Sequence, residues 1–108
     1  MRRLEFIVHG QRIEKSSTCS FAGLVKGSEG YLKASFSFDE DWDGCAKIVK
    51  FRDEFGCVKE SAPVYEINGK NVCDIPNKIL TYARIYISVI GQKKNYKITT
   101  NEVEVLQK

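Results

Sequence analysis

Apolar and polar residues alternate along most of this chain. The clearest case is the segment from Tyr31 to Phe38, in which every second residue is apolar: Leu32, Ala34, Phe36 and Phe38. The residues between them, Lys33, Ser35 and Ser37, are polar. A period of two over eight residues predicts a β-strand with one face in a core and the other in water.

The same pattern predicts further strands, separated by turn-forming residues about every ten positions. The expected segments are 4–9 and 12–14 as a hairpin, a weak strand at 20–25, then 45–52, 57–63, 64–67, 70–75, 82–90, 96–100 and 103–106. Asn68-Gly69 indicates a two-residue hairpin turn, because both residues tolerate a positive φ. Pro76 to Leu80 predicts one short helical turn, since proline suits the first helical position.

No segment of a dozen residues keeps a helical period, and 108 residues suit one domain, which we place at residues 1–108. The pattern therefore predicts an all-β fold, an antiparallel β-sandwich of about seven to nine short strands. The cysteine–tryptophan–cysteine arrangement of antibody domains is missing. The sandwich is accordingly expected to be immunoglobulin-like in architecture only.

Charge and cysteine content narrow the functional classes. The net charge is +3, and the tight basic groupings are confined to Arg2-Arg3 and Lys93 to Lys97, which argues against a nucleic-acid partner. No apolar run resembles a signal peptide or a membrane helix, so we expect cytoplasmic synthesis and no membrane partner. Four widely spaced cysteines predict buried free thiols and no zinc site: Cys19, Cys45, Cys57 and Cys73.

The segment Asp39-Glu40-Asp41-Trp42-Asp43-Gly44 is the strongest candidate for chemistry. Its alternating carboxylates resemble the start of a calcium-binding EF-hand loop. The twelfth position, which must supply a glutamate, is Lys50, and the flanking segments are predicted strands. We therefore expect no metal here, but an acidic connection with Trp42 at the edge of the core.

Catalytic patterns are missing as well. His9 is the single histidine and has no evident nucleophile beside it, and no glycine-rich phosphate loop precedes a helix. The sequence predicts a protein that is not an enzyme and binds no cofactor. A candidate interaction surface remains, formed by the outer face of one strand and the acidic turn: Tyr82, Arg84, Tyr86, Asp39, Asp41 and Asp43.

Several motifs in order resemble a known family. They are Tyr31 to Gly44 with its acidic "W-x-G" turn, Val49-Lys50-Phe51, Cys73 to Leu80, Ile85 to Gly91 and Ile98 to Val103. Together they resemble the immunoglobulin-like module of tail, baseplate and fibre proteins in phages and prophages of Gram-positive bacteria. The resemblance covers about three quarters of the chain and implies a structural β-sandwich without catalytic residues.

The resemblance implies a bacteriophage virion structural protein of tail, baseplate, fibre or head decoration, assembled in the host cytoplasm. Its expected partners are other virion proteins and further copies of itself, as a trimer or a dimer. One alternative is a phage-encoded inhibitor that binds a host enzyme or defence protein. Another is a module that binds a cell-wall carbohydrate, such as a host surface glycan.

Overall fold

The computed structural model describes all residues, 1–108, and is all-β, with 52% of the chain in strands. Ten strands follow one another: β1 (Arg2–His9), β2 (Arg12–Lys15), β3 (Leu32–Phe38), β4 (Ala46–Asp53), β5 (Lys59–Pro63), β6 (Tyr65–Ile67), β7 (Lys70–Asp74), β8 (Arg84–Gln92), β9 (Lys97–Thr99) and β10 (Val103–Leu106). Two short 3-10 turns, Glu40–Trp42 and Ile79–Thr81, complete the regular structure. The helical turn predicted at Pro76 to Leu80 is thus present, shifted by a few residues along the chain. Neither turn is long or apolar enough to cross a membrane.

The strands form two five-stranded sheets that pack against each other. Sheet 1 has the order β2-β1-β3-β7-β6, and sheet 2 the order β10-β8-β4-β5 with β9 beside the end of β8. One core cluster draws alternate residues from both sheets, including Phe6 and Phe36 of sheet 1 and Phe51 and Ile87 of sheet 2. The alternation in the sequence is therefore the alternation between this core and the outer faces.

The expectation of purely antiparallel sheets is wrong for one pair of strands. β1 and β3 run parallel over seven residue pairs, from Arg2 opposite Leu32 to Val8 opposite Phe38. β2 folds back on one side of β1, and the connection of residues 16–31 then returns the chain to the other side. β1 is therefore antiparallel to β2 and parallel to β3, which lie on its two sides.

The weak strand expected at residues 20–25 is absent, and this segment is a loop of turns. Its backbone is held by side chains: the Arg2 guanidinium donates to the carbonyls of Ser20 and Ala22 at 3.0 and 2.7 Å. Gly23 has a positive φ of 73°, which a strand does not accommodate. By contrast, the Asn68-Gly69 turn is confirmed, with φ values of 51° and 77°.

A β-bulge separates β9 from β10. Ile90 pairs with Thr99 and Ile87 with Val103, so three residues, Thr100 to Glu102, lie opposite two residues of β8. The bulge turns the Asn101 side chain toward sheet 1. Its Oδ1 accepts from the Ile13 amide at 2.8 Å, and its Nδ2 donates to the Ile13 carbonyl at 3.3 Å. One amide side chain thus satisfies the outer edge of β2 and joins the two sheets.

The cysteines divide into two kinds. Cys45 and Cys73 are buried, as predicted, and Cys19 is half-buried, whereas Cys57 is exposed on the β4–β5 connection, so the prediction of a buried thiol is wrong there. Burial raises the pKa of Cys73 to about 12. Cys57 follows a turn that has no second sheet above it, which is why its side chain finds no apolar cover.

Candidate interaction surface

The acidic turn is built around Asp39, which ties two connections of the fold together. Its carboxylate accepts hydrogen bonds from the Asp41 amide at 3.1 Å and from the Gly10 amide at 2.7 Å. The first bond caps the 3-10 turn, and the second fixes the β1–β2 hairpin. Both oxygens of Asp39 are therefore used in backbone contacts.

Trp42 lies behind this turn and is fully buried, deeper than the core edge expected for it. Its indole nitrogen donates to the Gly10 carbonyl at 2.8 Å, and its ring packs 5.2 Å from that of Phe38. A Cβ added to Gly91 of β8 would lie only 2.6 Å from the indole ring. The tryptophan therefore needs a glycine beneath it, and the two residues close this end of the core.

The other three carboxylates of the turn, on Glu40, Asp41 and Asp43, are exposed. The Tyr96 hydroxyl donates to the Asp41 backbone carbonyl. No group of three or more histidine, cysteine or acidic side chains is arranged to hold a metal ion. The turn thus carries three surface carboxylates, of which Asp41 lies beside Tyr96 of the β8–β9 connection.

The structure brings together two of the three residues expected on the outer face of β8. Arg84 and Tyr86 lie on that face, in register with Leu106 and Glu104 of β10. Tyr82 precedes β8, is half-buried and packs against the core. It therefore does not share a surface with the other two.

Tyr86 and Arg84 belong to a charged network that crosses sheet 2. The Arg52 guanidinium lies 4.2 Å from the centre of the Tyr86 ring and makes two hydrogen bonds to Glu102, at 2.6 and 2.8 Å. The Tyr86 hydroxyl donates to Glu104 at 2.9 Å, and Arg84 reaches the same carboxylate at 3.3 Å. The hydrogen bonds from Arg52 lower the pKa of Glu102. Because Arg52 covers the Tyr86 ring, this ring is no free platform for a sugar.

Two large apolar side chains stand exposed at the end of this network. Phe55 is 73% exposed on the β4–β5 connection, and Leu106 is 51% exposed at the end of β10. Arg84 links the two segments that carry them, because it pairs in register with Leu106 and its Nε is 3.5 Å from Glu54, the neighbour of Phe55. We refer to Phe55, Arg84 and Leu106 as the Phe55–Leu106 patch.

The loop that carries Phe55 is fixed by a buried carboxylate. Asp53 has no exposed surface and accepts hydrogen bonds from the amides of Val58 at 2.9 Å and Phe55 at 3.3 Å. Burial acts to raise the pKa of Asp53, but the backbone N–H groups of the loop together outweigh it and leave the pKa below its ordinary value. Phe55 is therefore presented by an ordered turn.

Sequence reasoning found Arg84 and missed Phe55, Leu106 and Asp53. Asp53 to Gly56 is a conventional turn sequence in which only the phenylalanine is out of place. A large apolar residue inside a polar turn is the signal that could have identified the patch. Leu106 carried a similar signal, because it is apolar at the outward position of β10, where the alternation of Val103-Glu104-Val105 predicts a polar residue.

Fold and surface together define this molecule as an all-β domain of two packed five-stranded sheets, with a charged network and an apolar patch on one outer face. Comparisons with protein-family models, with curated proteins and with solved structures each gave no match.

Proposed function

We propose that this chain is a bacteriophage virion structural protein, an immunoglobulin-like β-sandwich module that acts by docking to other virion proteins and to copies of itself. Two things support the proposal: the ordered set of motifs that resembles such modules, and the two-sheet fold in which those motifs lie. Trp42 and Gly91, which belong to two of the motifs, contact each other at one end of the core.

The observation that carries the docking role is the Phe55–Leu106 patch. Aromatic, arginine and aliphatic side chains that are clustered and surrounded by polar groups are typical of the centres of protein interfaces. Phe55 stands on a turn that Asp53 holds in place, so a partner would not have to order this loop on binding. An exposed phenylalanine on an ordered loop favours docking as the function of this face.

Self-association is part of the proposal. Sheet 2 carries acidic and basic side chains in alternation around the patch, including Arg52, Arg84, Glu102 and Glu104. Such a mixed surface can meet a second copy of itself without a large like-charge repulsion. A trimer or a dimer follows the symmetry that phage tails, baseplates and fibres use.

The test is mass spectrometry of density-purified phage particles from a host that carries the gene. We expect the chain at stoichiometric level, with a copy number that separates a tail part from a head decoration. The variant Phe55→Ala, produced at the wild-type level, should be depleted from particles, and the exposed-residue control Lys94→Ala should not. Recovery of the wild-type chain only from the particle-free lysate would overturn the virion role and favour an inhibitor of a host protein.

A further inference from the structure

The outer edge of β10 is an open row of backbone hydrogen-bonding groups. The Gln107 amide donates to the Ala83 carbonyl, so residues 103, 105 and 107 direct their backbone groups toward β8. By alternation, the N–H and C=O groups of Glu104 and Leu106 point away from the sheet. β10 has no second neighbouring strand, so these groups are free to pair with another chain.

This open edge is short and closed at both ends. On one side, Asn101 pairs with Ile13 of β2. On the other side, Lys108 pairs with the loop, since its amide donates to the Leu24 carbonyl and its carbonyl accepts from the Lys26 amide. The free part of the edge is thus limited to Glu104 and Leu106, a length that suits a short extended segment better than the full edge strand of a second sandwich.

A pocket of about 480 Å³ lies beside the same edge. Its apolar wall includes Phe21, Leu24 and Leu106, and its two charged residues, Arg84 and Lys108, are both cations. Arg84 contacts Glu54 through Nε at 3.5 Å and Glu104 through Nη1 at 3.3 Å, so Nη2 is the donor that these two ion pairs leave for a partner. The pocket suits an apolar side chain with an acidic one nearby.

One polar atom behind the wall of this pocket has no partner. Gln107, which lines it and is 6% exposed, donates through Nε2 to the carbonyls of Leu80 at 3.1 Å and Tyr82 at 2.9 Å, while its Oε1 is buried without a hydrogen bond. The two carbonyls fix the orientation of the amide, because a flipped amide would set oxygen against oxygen. A buried acceptor left unpaired destabilises the fold, and an incoming N–H donor would remove that cost.

We propose that β10 and this pocket form a docking site for an extended segment of a partner protein. The segment adds a short strand to the edge at Glu104 and Leu106 and places a leucine or phenylalanine in the pocket. It donates an N–H to Gln107 Oε1 and sets a carboxylate against Arg84 and Lys108. Since Oε1 is covered, Leu106 or residues 21–24 must shift slightly to admit the donor. The site shares Arg84 and Leu106 with the Phe55–Leu106 patch, and it rests on the docking function proposed above but not on the virion role.

The probe is a library of capped octapeptides with Leu or Phe at position 4, Asp or Glu at position 6, and Ser, Thr or Val elsewhere. Residues two apart share one face of a strand, so this pattern matches the pocket and its cations. With the ¹⁵N-labelled full chain, we expect selected peptides to bind with a Kd below about 1 mM. Binding should shift the amide signals of Glu104 and Leu106 and the side-chain NH₂ signal of Gln107.

Strand addition makes a sharper prediction on the peptide itself. The best binder is made in two forms, N-methylated at its odd or at its even residues, because only one set of N–H groups faces β10. One form should lose binding by about tenfold or more, the equivalent of one to two hydrogen bonds, and the other should keep it. Ala22→Trp, which fills the pocket, should weaken binding to a similar extent, whereas the matched control Ala46→Trp on β4 should not.

Three results would overturn the proposal. They are the absence of any binder, equal tolerance of both methylated forms, and a dimer in sedimentation that Leu106→Pro abolishes, which would assign the edge to a second copy. None of them bears on whether the chain is found in phage particles. Conversely, a chain absent from particles could still bind the peptides, so failure of the site and failure of the virion role are distinguishable.

Discussion

The two ends of the sandwich use their aromatic residues in opposite ways. At one end, Trp42 is sealed behind the acidic turn, hydrogen-bonded to Gly10 and pressed against Gly91. At the other end of β4, Phe55 is 73% exposed, although its loop is held as firmly by Asp53. Both ends are ordered by an aspartate that accepts backbone amides. Order at the first end serves packing, and at the second it holds an exposed aromatic side chain in place.

The comparison shows that acidity in a turn is a poor guide to function. The segment with four carboxylates, Asp39 to Asp43, closes the core, and the less conspicuous turn after Asp53 carries the exposed aromatic residue. Which aromatic side chain is covered depends on what lies opposite it. Trp42 meets Gly91 of sheet 2, while Phe55 lies beyond the last residue of β4 and the first residue of β8.

The largest expected difference is in stability. Trp42→Ala removes a fully buried indole and should lower the free energy of unfolding by about 3–5 kcal/mol. Phe55→Ala should change this free energy by less than about 0.5 kcal/mol, because the exposed phenylalanine has few packing contacts that unfolding would break. Urea denaturation of both variants measures the contrast, and similar losses would mean that Phe55 is covered in solution.

The contact beneath Trp42 should give the next largest effect. Gly91→Ala places a methyl group against the indole ring and should cost about 1–3 kcal/mol, whereas Ser88→Ala on the outer face of the same strand should cost less than about 0.5 kcal/mol. In the background of Trp42→Leu, which leaves more space, the penalty of Gly91→Ala should shrink. If Gly91→Ala is equally destabilising in both backgrounds, its cost comes from the backbone at residue 91 and not from contact with the indole ring.

At the other end, Asp53→Asn should cause a smaller, pH-dependent loss of stability. The pKa of Asp53 is lower in the folded state than the ordinary value, so ionisation favours folding above about pH 4. This contribution disappears as the pH falls through the lowered pKa. Urea denaturation from about pH 7 to pH 2.5 should show the gap between wild type and variant narrowing. The exposed-residue control Asp43→Asn should show no such gap, and a constant gap for Asp53→Asn would contradict the role of its charge.

Thiol accessibility should distinguish the exposed loop that carries Phe55 from the core without changing stability. Cys57 is exposed beside Phe55, whereas Cys73 is buried with its pKa raised to about 12, so it presents almost no thiolate. Brief alkylation followed by peptide mapping should modify Cys57 far faster than Cys73. Urea should remove the difference. Rapid modification of Cys73 in the native protein would show that β7 opens readily.

Much of the fold follows from local sequence. Alternation placed Leu32, Ala34 and Phe36 in the core, and Asn68-Gly69 identified its hairpin turn, because both depend on neighbouring residues alone. The parallel pairing of β1 with β3 and the bulge at Asn101 were not predicted. They depend on which distant segments meet, and a period of two is identical for either strand direction.

The candidate surface shows the same limit. Arg84 and Tyr86 could be assigned to the outer face of β8 from their parity, and the structure places them there. Whether the Tyr86 ring is open to a ligand depends on Arg52, which arrives from β4 and covers it. The exposure of Leu106 likewise depends on β10 having no neighbour. Such properties belong to pairs of strands, and no single segment contains them.

The bond between Asn101 and Ile13 also has a consequence for the order of events during synthesis. The two residues are 88 positions apart, so the first hairpin leaves the ribosome long before the side chain that covers its edge exists. Throughout that interval the outer edge of β2 has no covering side chain. Premature termination before residue 101 would release chains in which the Ile13 backbone groups lack the hydrogen bonds from Asn101. Synthesis of the last strands is thus the step that covers the edge of β2. After it, this edge can no longer pair with other nascent chains on the same polysome.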